Sequence, residues 1–561
     1  MATSVERPGR RGWSGTVGCT RTVLLGVALL GCGRTPPFEI DDAGDSDDVV
    51  DRDPCESDPS SCVSIVTLQR AADILFVIDN SGSMAEEQGT LAANFPRFIE
   101  VLEGELVGAS YRVGITTTDQ RGLRATSCRS RLEEFEGWFN LGPDLEEFYV
   151  EEREAGCLSS CGFDSIDLQP TENGDGDVRA RPWLERSAGA SNLPPGISIA
   201  QALQCIGPQG INGDGYEMPL ESMRSVLEDN TDGFMRDDAL LAVVFVTDET
   251  DCSQSFEHNA WLREGGWNVY WSYDDHPSSA ACWRAGTTCS GGPGTYDTCW
   301  AENKDMDGNA TGDPDEAVLY PVQRYIDVLN AIGSAKAARG GNSTVLVASI
   351  AGVPVGYEDG VELQFADSPL WEFNMEYGIG PGCGHGTEAL ANPPGIPPVR
   401  LRAFSEAFAT EGRNMFSICS DDYAVALVQI AEAIERLGAR ACVPGCATDT
   451  NEHVDGLQPG CSVIEERAEE QGGDRAVEPC SIDNETWYFA REDQTLCYRQ
   501  LTDGEGSTPW SHDDMSPQCV TRGSNLEFVV ERREGIPVPP GVGVRVDCPL
   551  DGPVGDTCLD L

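Results

Sequence analysis

The chain has 561 residues, of which 94 are acidic and 38 basic, for a formal net charge of -56. Such a surface excludes nucleic acid as a partner, because phosphates bind basic patches, and it favours divalent cations. Most of the carboxylates are expected to form only a solvated coat.

Residues 1–31 are predicted to be a signal peptide. Arginines precede the apolar stretch VLLGVALLGC at 23–32, which is too short to span a bilayer as a helix. Its end, LLGC, resembles the lipobox of bacterial lipoproteins, which implies cleavage before Cys32 and lipid on its thiol. We therefore expect an exported protein, anchored by lipid in the bacterial cell envelope at the outer membrane or cell surface. Ordinary secretion with a chance cysteine is the alternative.

The 22 cysteines indicate disulfides. Apart from Cys19 and Cys32, twelve lie from Cys55 to Cys419, and eight lie at 442–558. Both groups are even, which predicts bonds that close within each region in an oxidising compartment. Zinc is disfavoured, since no C-x2-C pair occurs and the C-x3-C pairs lack matching histidines.

The rest of the chain divides by composition. Residues 32–72 carry aspartate clusters and little apolar periodicity, which predicts an acidic disordered tether. Over 73–440, unbroken apolar runs alternate with helical patterns, which predicts a doubly wound, mostly parallel α/β domain. The runs are at 74–78, 240–246 and 344–350, and 111–117 is a fourth candidate strand. Long insertions interrupt the pattern at 119–195, 252–315 and 353–396. From 441 to 561, dense turns and eight cysteines predict a smaller β domain, with strands at 526–530 and 542–546.

Polar side chains follow two of the apolar runs. Asp79, Ser81 and Ser83 come directly after the first run, and Asp248 closes the run at 240–246. Ligands bind at the carboxyl ends of parallel strands, and these oxygens suit Mg²⁺, Mn²⁺ or Ca²⁺. We predict that the four side chains hold one divalent ion and leave a coordination position that a partner's carboxylate can fill.

The DxSGSM motif and the later strand that ends in TD together resemble the von Willebrand factor type A domain with its metal-ion-dependent adhesion site. The resemblance covers about 73–440 without the insertions. It implies a Rossmann-like fold, with Ser81 and Ser83 on the ion and Asp79 and Asp248 bound directly or through water. It also implies ion-dependent adhesion to a protein or another carboxylate-bearing ligand. Capping of a helix that starts near residue 85 is the alternative role for the serines.

One position departs from the family pattern. The family supplies a threonine from a loop before a helix, and the corresponding residue in this sequence is Ile211. Isoleucine cannot bind a metal, so Asn212, Asp214 or Glu217 would have to substitute. An acid there would strengthen cation binding and weaken the pull of the ion on an anionic partner.

A second candidate is a calcium loop within KDMDGNATGDPDEA. Five oxygen-bearing residues occupy positions 1, 3, 5, 9 and 12 of such a loop: Asp305, Asp307, Asn309, Asp313 and Glu316. The sixth position, where glycine is expected, is Ala310, and a helix is expected from 316 to 338. A plain acidic turn is the alternative.

We predict that the protein is not an enzyme. The sequence lacks a G-x4-G-K loop, an H-E-x-x-H motif and a G-x-S-x-G elbow, and its five histidines are scattered. The main alternative to ion-dependent adhesion is a structural envelope or matrix protein whose metal and disulfides only rigidify the fold. A hydrolase housed in the insertions is a more remote alternative.

Overall fold

The computed structural model describes 62–65 and 71–558 apart from gaps, and the predicted signal peptide, Cys32 and most of the predicted tether lie outside the described residues. The gaps are 105–109, 120–121, 137–149, 174–175, 188–189, 231–232, 238, 264–268, 272–278, 339–343, 385–394, 410–411, 439, 444–445, 451–456, 468–472, 484–485, 492, 504–511, 517–518, 521–522, 534–542 and 551–557.

A seven-stranded sheet lies at the centre of the region from 72 to 417. Its strands in chain order are β1 Ala72–Ile78, β2 Tyr111–Thr117, β3 Leu184–Ser187, β4 Ala190–Ser191, β5 Leu240–Val246, β6 Val345–Ala351 and β7 Met415–Ser417. The spatial order is β7-β6-β5-β1-β2-β3-β4. The first five strands in this order are parallel, and β3 and β4 continue the sheet antiparallel.

Helices cover both faces of this sheet. They are α1 Ala85–Gly104, α2 Ile199–Ile206, α3 Pro219–Asp229, α4 Asn259–Arg263, α5 Ser279–Gly286, α6 Val322–Ala338, α7 Trp371–Tyr377, α8 Val399–Glu406 and α9 Ala424–Gly438. From β1, Phe76 enters the core that α1, α2 and α9 share, whereas Leu75 enters the core shared by α3, α6 and α8. Successive side chains point to opposite faces, so both must be apolar. The prediction of a mixed α/β fold with a mostly parallel sheet is confirmed.

Helix α6 is shorter than the sequence pattern suggested. It begins at Val322, directly after Pro321, and not at residue 316. Proline disfavours the helical conformation of the residue before it, so a helix cannot easily extend back through Tyr320. Among the described residues, no helix is long and apolar enough to cross a membrane.

Nine disulfides join described cysteines, and all close within the two predicted regions. In the first region they are Cys128–Cys157, Cys161–Cys205, Cys252–Cys282, Cys289–Cys299 and Cys383–Cys419. In the second they are Cys442–Cys519, Cys446–Cys558, Cys461–Cys548 and Cys480–Cys497. The prediction of disulfides is confirmed, while Cys55 lies outside the described residues. Two of the bonds, Cys161–Cys205 and Cys383–Cys419, join an insertion to the α/β core, and the other three of the first region close within insertions.

Small antiparallel sheets make up the remaining strands. After residue 439 these strands are Arg440–Cys442, Ser462–Glu466, Arg475–Ala476, Ser481–Asp483, Thr486–Tyr488, Leu496–Leu501, Glu527–Arg532 and Gly543–Pro549. In the insertions they are Thr171–Glu172, Val178–Arg179, Thr287–Gly291, Thr295–Ala301 and Phe365–Ala366. The two strands predicted after residue 520 are both present.

One short segment of the expected disordered tether is a strand. Residues Cys62–Ile65 form a strand that pairs antiparallel with Gly543–Pro549. Backbone groups on the edge of a sheet need partners, and this extended segment supplies them. These four residues are therefore not disordered.

Candidate metal centre

The three strands at the middle of the sheet end at one level. Ile78 of β1 pairs with Thr117 of β2 on one side and with Val246 of β5 on the other. The chain leaves β1 toward β2 and later returns to β5 on the opposite side, so the loops after β1 and β5 diverge at this edge. Ligands bind at such points in open α/β sheets.

Asp79 is held rigidly at this edge. Its side chain is fully buried, and its backbone N–H donates to the carbonyl of Val246 at 2.9 Å. One carboxylate oxygen accepts from the Ser81 amide at 2.8 Å, and the other accepts from the Thr247 hydroxyl at 2.5 Å. The Gln88 amide donates to the Asp79 carbonyl at 2.8 Å. The strand end and the loop after β5 thus fix the carboxylate together.

The two serines lie beside this carboxylate. The Ser81 and Ser83 hydroxyl oxygens are 3.2 Å apart. The Ser83 hydroxyl also interacts with the carboxylate of Asp248. Gly82 is exposed and Ser83 is half-buried, so the loop between the serines is the accessible side of the site. The structure therefore brings together all four residues that the DxSxS prediction named.

Four buried acids converge at the site. Asp79, Glu217, Asp248 and Glu249 are 0%, 1%, 3% and 9% exposed. Burial raises the pKa of each of these four carboxyl groups. Electrostatic repulsion raises it further, from Asp79 at Glu217 and at Asp248, and from Asp248 at Glu249. The pKa of Asp248 rises to about 7. None of the largest contributions to these four pKa values comes from a cationic side chain.

Glu217 reaches the site through a threonine that the sequence analysis overlooked. Thr118 follows β2, and its hydroxyl donates to one oxygen of Glu217 and lies 3.4 Å from the side-chain oxygen of Asn80. The other Glu217 oxygen, Oε1, is buried without a hydrogen-bond partner among the described residues, and so is Oδ1 of Asp248. A threonine directly after the strand beside β1 is the signal that could have identified Thr118.

These oxygens fit a divalent ion. Orphaned carboxylate oxygens in a buried, uncompensated anionic cluster need a cation or a proton. Hard oxygen donors from carboxylates and hydroxyls are what Mg²⁺, Mn²⁺ and Ca²⁺ prefer. Asp79, Ser81, Ser83 and Asp248 would hold such an ion, with Glu217 beside them.

Ile211 and Asp214 are placed differently from Glu217. Ile211 is 2% exposed within the apolar core, and its amide donates to the Glu134 carbonyl at 2.7 Å. Asp214 forms an ion pair with Arg263. Its carboxylate charge is therefore compensated, unlike that of Glu217. Of the two acids considered, Glu217 is the one that joins the cluster.

Two insertions cover the site. The Ser279 hydroxyl, at the start of α5, donates to Glu249 at 2.7 Å. The Ile396 amide donates to the carbonyl of Asp248 at 2.7 Å. The insertions therefore shape the metal centre directly.

The predicted calcium loop is an exposed turn. Asp305 accepts from the amides of Asp307 and Asn309, both at 2.9 Å, whereas Glu316 accepts from the Thr311 hydroxyl at 3.0 Å. The hydrogen bonds from Asn309 and Asp307 lower the pKa of the Asp305 carboxyl group. The left-handed position is Gly308, with φ +84°, two residues before Ala310. Calcium binding there, including any role for Asp313, stays a prediction.

Two further clusters of acids or cysteines occur among the described residues. Cys128, Cys157 and Cys161 lie together, but each belongs to a disulfide. Asp503, Asp513 and Asp514 also lie together, on the C-terminal sheets. Neither cluster involves a residue that the sequence analysis proposed as a ligand.

Comparison with known proteins assigns this chain to no family. No family model and no curated protein matches the chain. Two solved forms of the pilus adhesin SpaC from Lactobacillus rhamnosus GG, one an open conformation, are similar to it at 10% and 9% identity with TM-scores of 0.27 and 0.25. They cover 85% of this chain, which spans only 38% and 39% of the adhesin chains. At these values the likeness supports no inference about function.

Proposed function

We propose that this chain is an exported, lipid-anchored envelope protein whose von Willebrand factor type A-like domain, at 73–440, binds a carboxylate-bearing partner through a divalent ion. The observation that carries the proposal is the cluster of four buried acids, which raise one another's pKa and form no ion pair with a cationic side chain of the described residues, beside two serines whose hydroxyl oxygens are 3.2 Å apart. Leaving a buried charge uncompensated costs about 3–5 kcal/mol. Mg²⁺ or Mn²⁺ would offset that cost, and a partner carboxylate would complete the coordination on the side of Gly82.

Export is supported by the disulfides. Nine bonds among the described cysteines are typical of an oxidising compartment. The lipid anchor rests on the LLGC sequence alone. If Cys32 carries lipid, the protein partitions into detergent, and Cys32→Ser releases it to the aqueous phase with a lower mass. An unchanged mass would contradict lipidation.

A structural role for the ion is the second candidate. This candidate is favoured by the burial of the site. Ser279 and Ile396, which belong to the insertions, donate hydrogen bonds to residues of the site, and Asp79 has no exposed surface. Under this alternative the ion stabilises the fold, and every interaction with other envelope proteins persists without it.

A pull-down from envelope extract distinguishes the two. The full chain is used as bait in Mg²⁺ and in EDTA, beside Asp79→Ala and the matched control Asp359→Ala. The control removes the same charge from an exposed turn outside both candidate metal sites. We expect partners captured only in Mg²⁺, by wild type and Asp359→Ala. Capture that persists in EDTA and in Asp79→Ala would contradict adhesion. Calorimetric titration with Mg²⁺ that shows equal binding by Asp79→Ala would contradict the metal site itself.

A further inference from the structure

A cavity of about 290 Å³ lies within the insertions, and none of the four buried acids lines it. Its walls come from α5, from the hairpin of Thr287–Gly291 and Thr295–Ala301, and from the residues that follow α7. The lining residues that matter here are Trp283, Arg284, Thr287, Tyr296, Lys304 and Ile379. A cavity of ~150 Å³ accommodates benzene, so this one has room for a ring and a short polar arm.

Lys304 gives the cavity a positive charge. It is one of only two lysines in a chain with a net charge of -56. Its ammonium group donates to the carbonyls of Arg284 and Thr287, at 2.8 and 2.5 Å, which leaves one of its three N–H groups. Among the described residues none forms an ion pair with it. Burial lowers its pKa, and Glu302, whose carboxylate accepts from Thr288, only partly opposes this.

Other lining groups add a polar anchor and an apolar wall. Thr287 is 4% exposed, and its hydroxyl has no hydrogen-bond partner among the described residues. A buried hydroxyl without a partner is rare in folded proteins and indicates a missing ligand or water. Trp283 and Ile379 are 5% and 1% exposed and present apolar surface. Burial also lowers the pKa of Arg284.

We propose that this cavity binds a small organic carboxylate whose body is aromatic or aliphatic. The carboxylate accepts hydrogen bonds from Lys304 and from the Thr287 hydroxyl, and the body packs against Trp283 and Ile379. A pocket with apolar walls and a few convergent polar groups is the usual form of a small-molecule site. The site lies in a region that the von Willebrand resemblance leaves unaccounted for, and it does not depend on the metal centre.

Phenylacetate and its neutral isostere phenylacetamide test the proposal. Binding of each to the full chain is measured by calorimetry and by tryptophan fluorescence, in EDTA and in Mg²⁺. We expect the carboxylate to bind at least about tenfold more tightly than the amide, since charge-assisted hydrogen bonds are the stronger ones. Equal affinities, or no saturation by phenylacetate below about 10 mM, would overturn the proposal. The result should not depend on EDTA.

Two variants locate the interaction. Lys304→Gln keeps most of the side-chain length and removes the charge, so the preference for the carboxylate should disappear while phenylacetamide binds as before. A preference that survives in Lys304→Gln refutes the assignment. If that variant fails to fold, Thr287→Val provides the test, because it removes only the hydroxyl. Phenylacetate affinity should then fall severalfold, and an unchanged affinity counts against the site.

Discussion

Replacing Asp248 with asparagine should stabilise the cation-free protein, although it removes a proposed metal ligand. Burial, with repulsion from Asp79, raises the pKa of Asp248 from 3.8 to about 7. The folded state therefore holds this proton more tightly than the unfolded chain does. The contribution of this proton to the free energy of unfolding is fully present below about pH 4 and is lost as the pH rises toward 7. The loss is about 4 kcal/mol at pH 8 and roughly 2 kcal/mol at pH 5.

Asparagine avoids most of this loss, because it fills the same space without the charge. In EDTA, Asp248→Asn should exceed wild type in the free energy of unfolding by about 2–4 kcal/mol at pH 8, and by about half of that at pH 5. Magnesium should remove this difference at pH 8. Wild type gains about 4.1 kcal/mol at a concentration about 1,000 times its Kd, whereas the variant gains little. Denaturant unfolding, followed by tryptophan fluorescence, measures the difference between the variant and wild type in each of these conditions.

Asp251 offers a matched control three residues further along. It is also fully buried, but one of its carboxylate oxygens pairs with the buried guanidinium of Arg400 at 2.9 Å. Asp251→Asn leaves that cation uncompensated, so it should destabilise by about 3–5 kcal/mol with or without magnesium. If Asp248→Asn destabilises the EDTA form at pH 8 as Asp251→Asn does, then Asp248 is not an uncompensated charge and the reasoning about the cluster fails.

Three further outcomes are expected. Ile211→Thr should lower stability by about 1–3 kcal/mol, because it places a hydroxyl in an apolar core, and should leave magnesium affinity unchanged in calorimetry; tighter binding would make residue 211 a ligand position after all. Reduction of the disulfides should lower the melting temperature substantially, since each bond contributes about 2–4 kcal/mol, and titration of the oxidised protein should find few free thiols. Burial acts to raise the pKa of Glu465, but Arg532 and Arg467 outweigh it and hold that pKa below 4.5. The ion-pair contribution is present above about pH 4.5 and lost as the pH falls through the lowered pKa, so Glu465→Gln should destabilise at pH 7 and much less at pH 3 in denaturant titrations.

The central strands could be predicted because the sheet is buried on both faces. A strand such as β5 has all seven residues buried, and that is visible in sequence as an unbroken apolar run. The strands β3 and β4, at one end of the sheet, lack such a run. Each has exposed residues, and β4 has only two residues, so no local pattern marks them.

The site was predictable only where its residues follow strands. Asp79 and Asp248 end two apolar runs, and strand pairing brings them together. The contact between Thr118 and Glu217 joins residues 99 positions apart and depends on how the loop before α3 folds. Alignment by family pattern pointed to Ile211, whose burial in the core is a packing requirement. Asp214 and Glu217 are both acids, and only their tertiary contacts distinguish them: Asp214 pairs with Arg263, whereas Glu217 is buried against Thr118.

The acids of the candidate metal centre repel one another, and bonds between the surrounding loops oppose this repulsion. The Cys252–Cys282 disulfide ties the loop after β5 to α5, and Ser279 on α5 donates to Glu249. On the opposite side, Thr247 bonds to Asp79. If the site binds an ion as proposed, these bonds already fix its ligands, so binding would require little reordering and most of the favourable interaction would be available for affinity. The insertions, which carry α5, would thereby contribute to the metal affinity of the core.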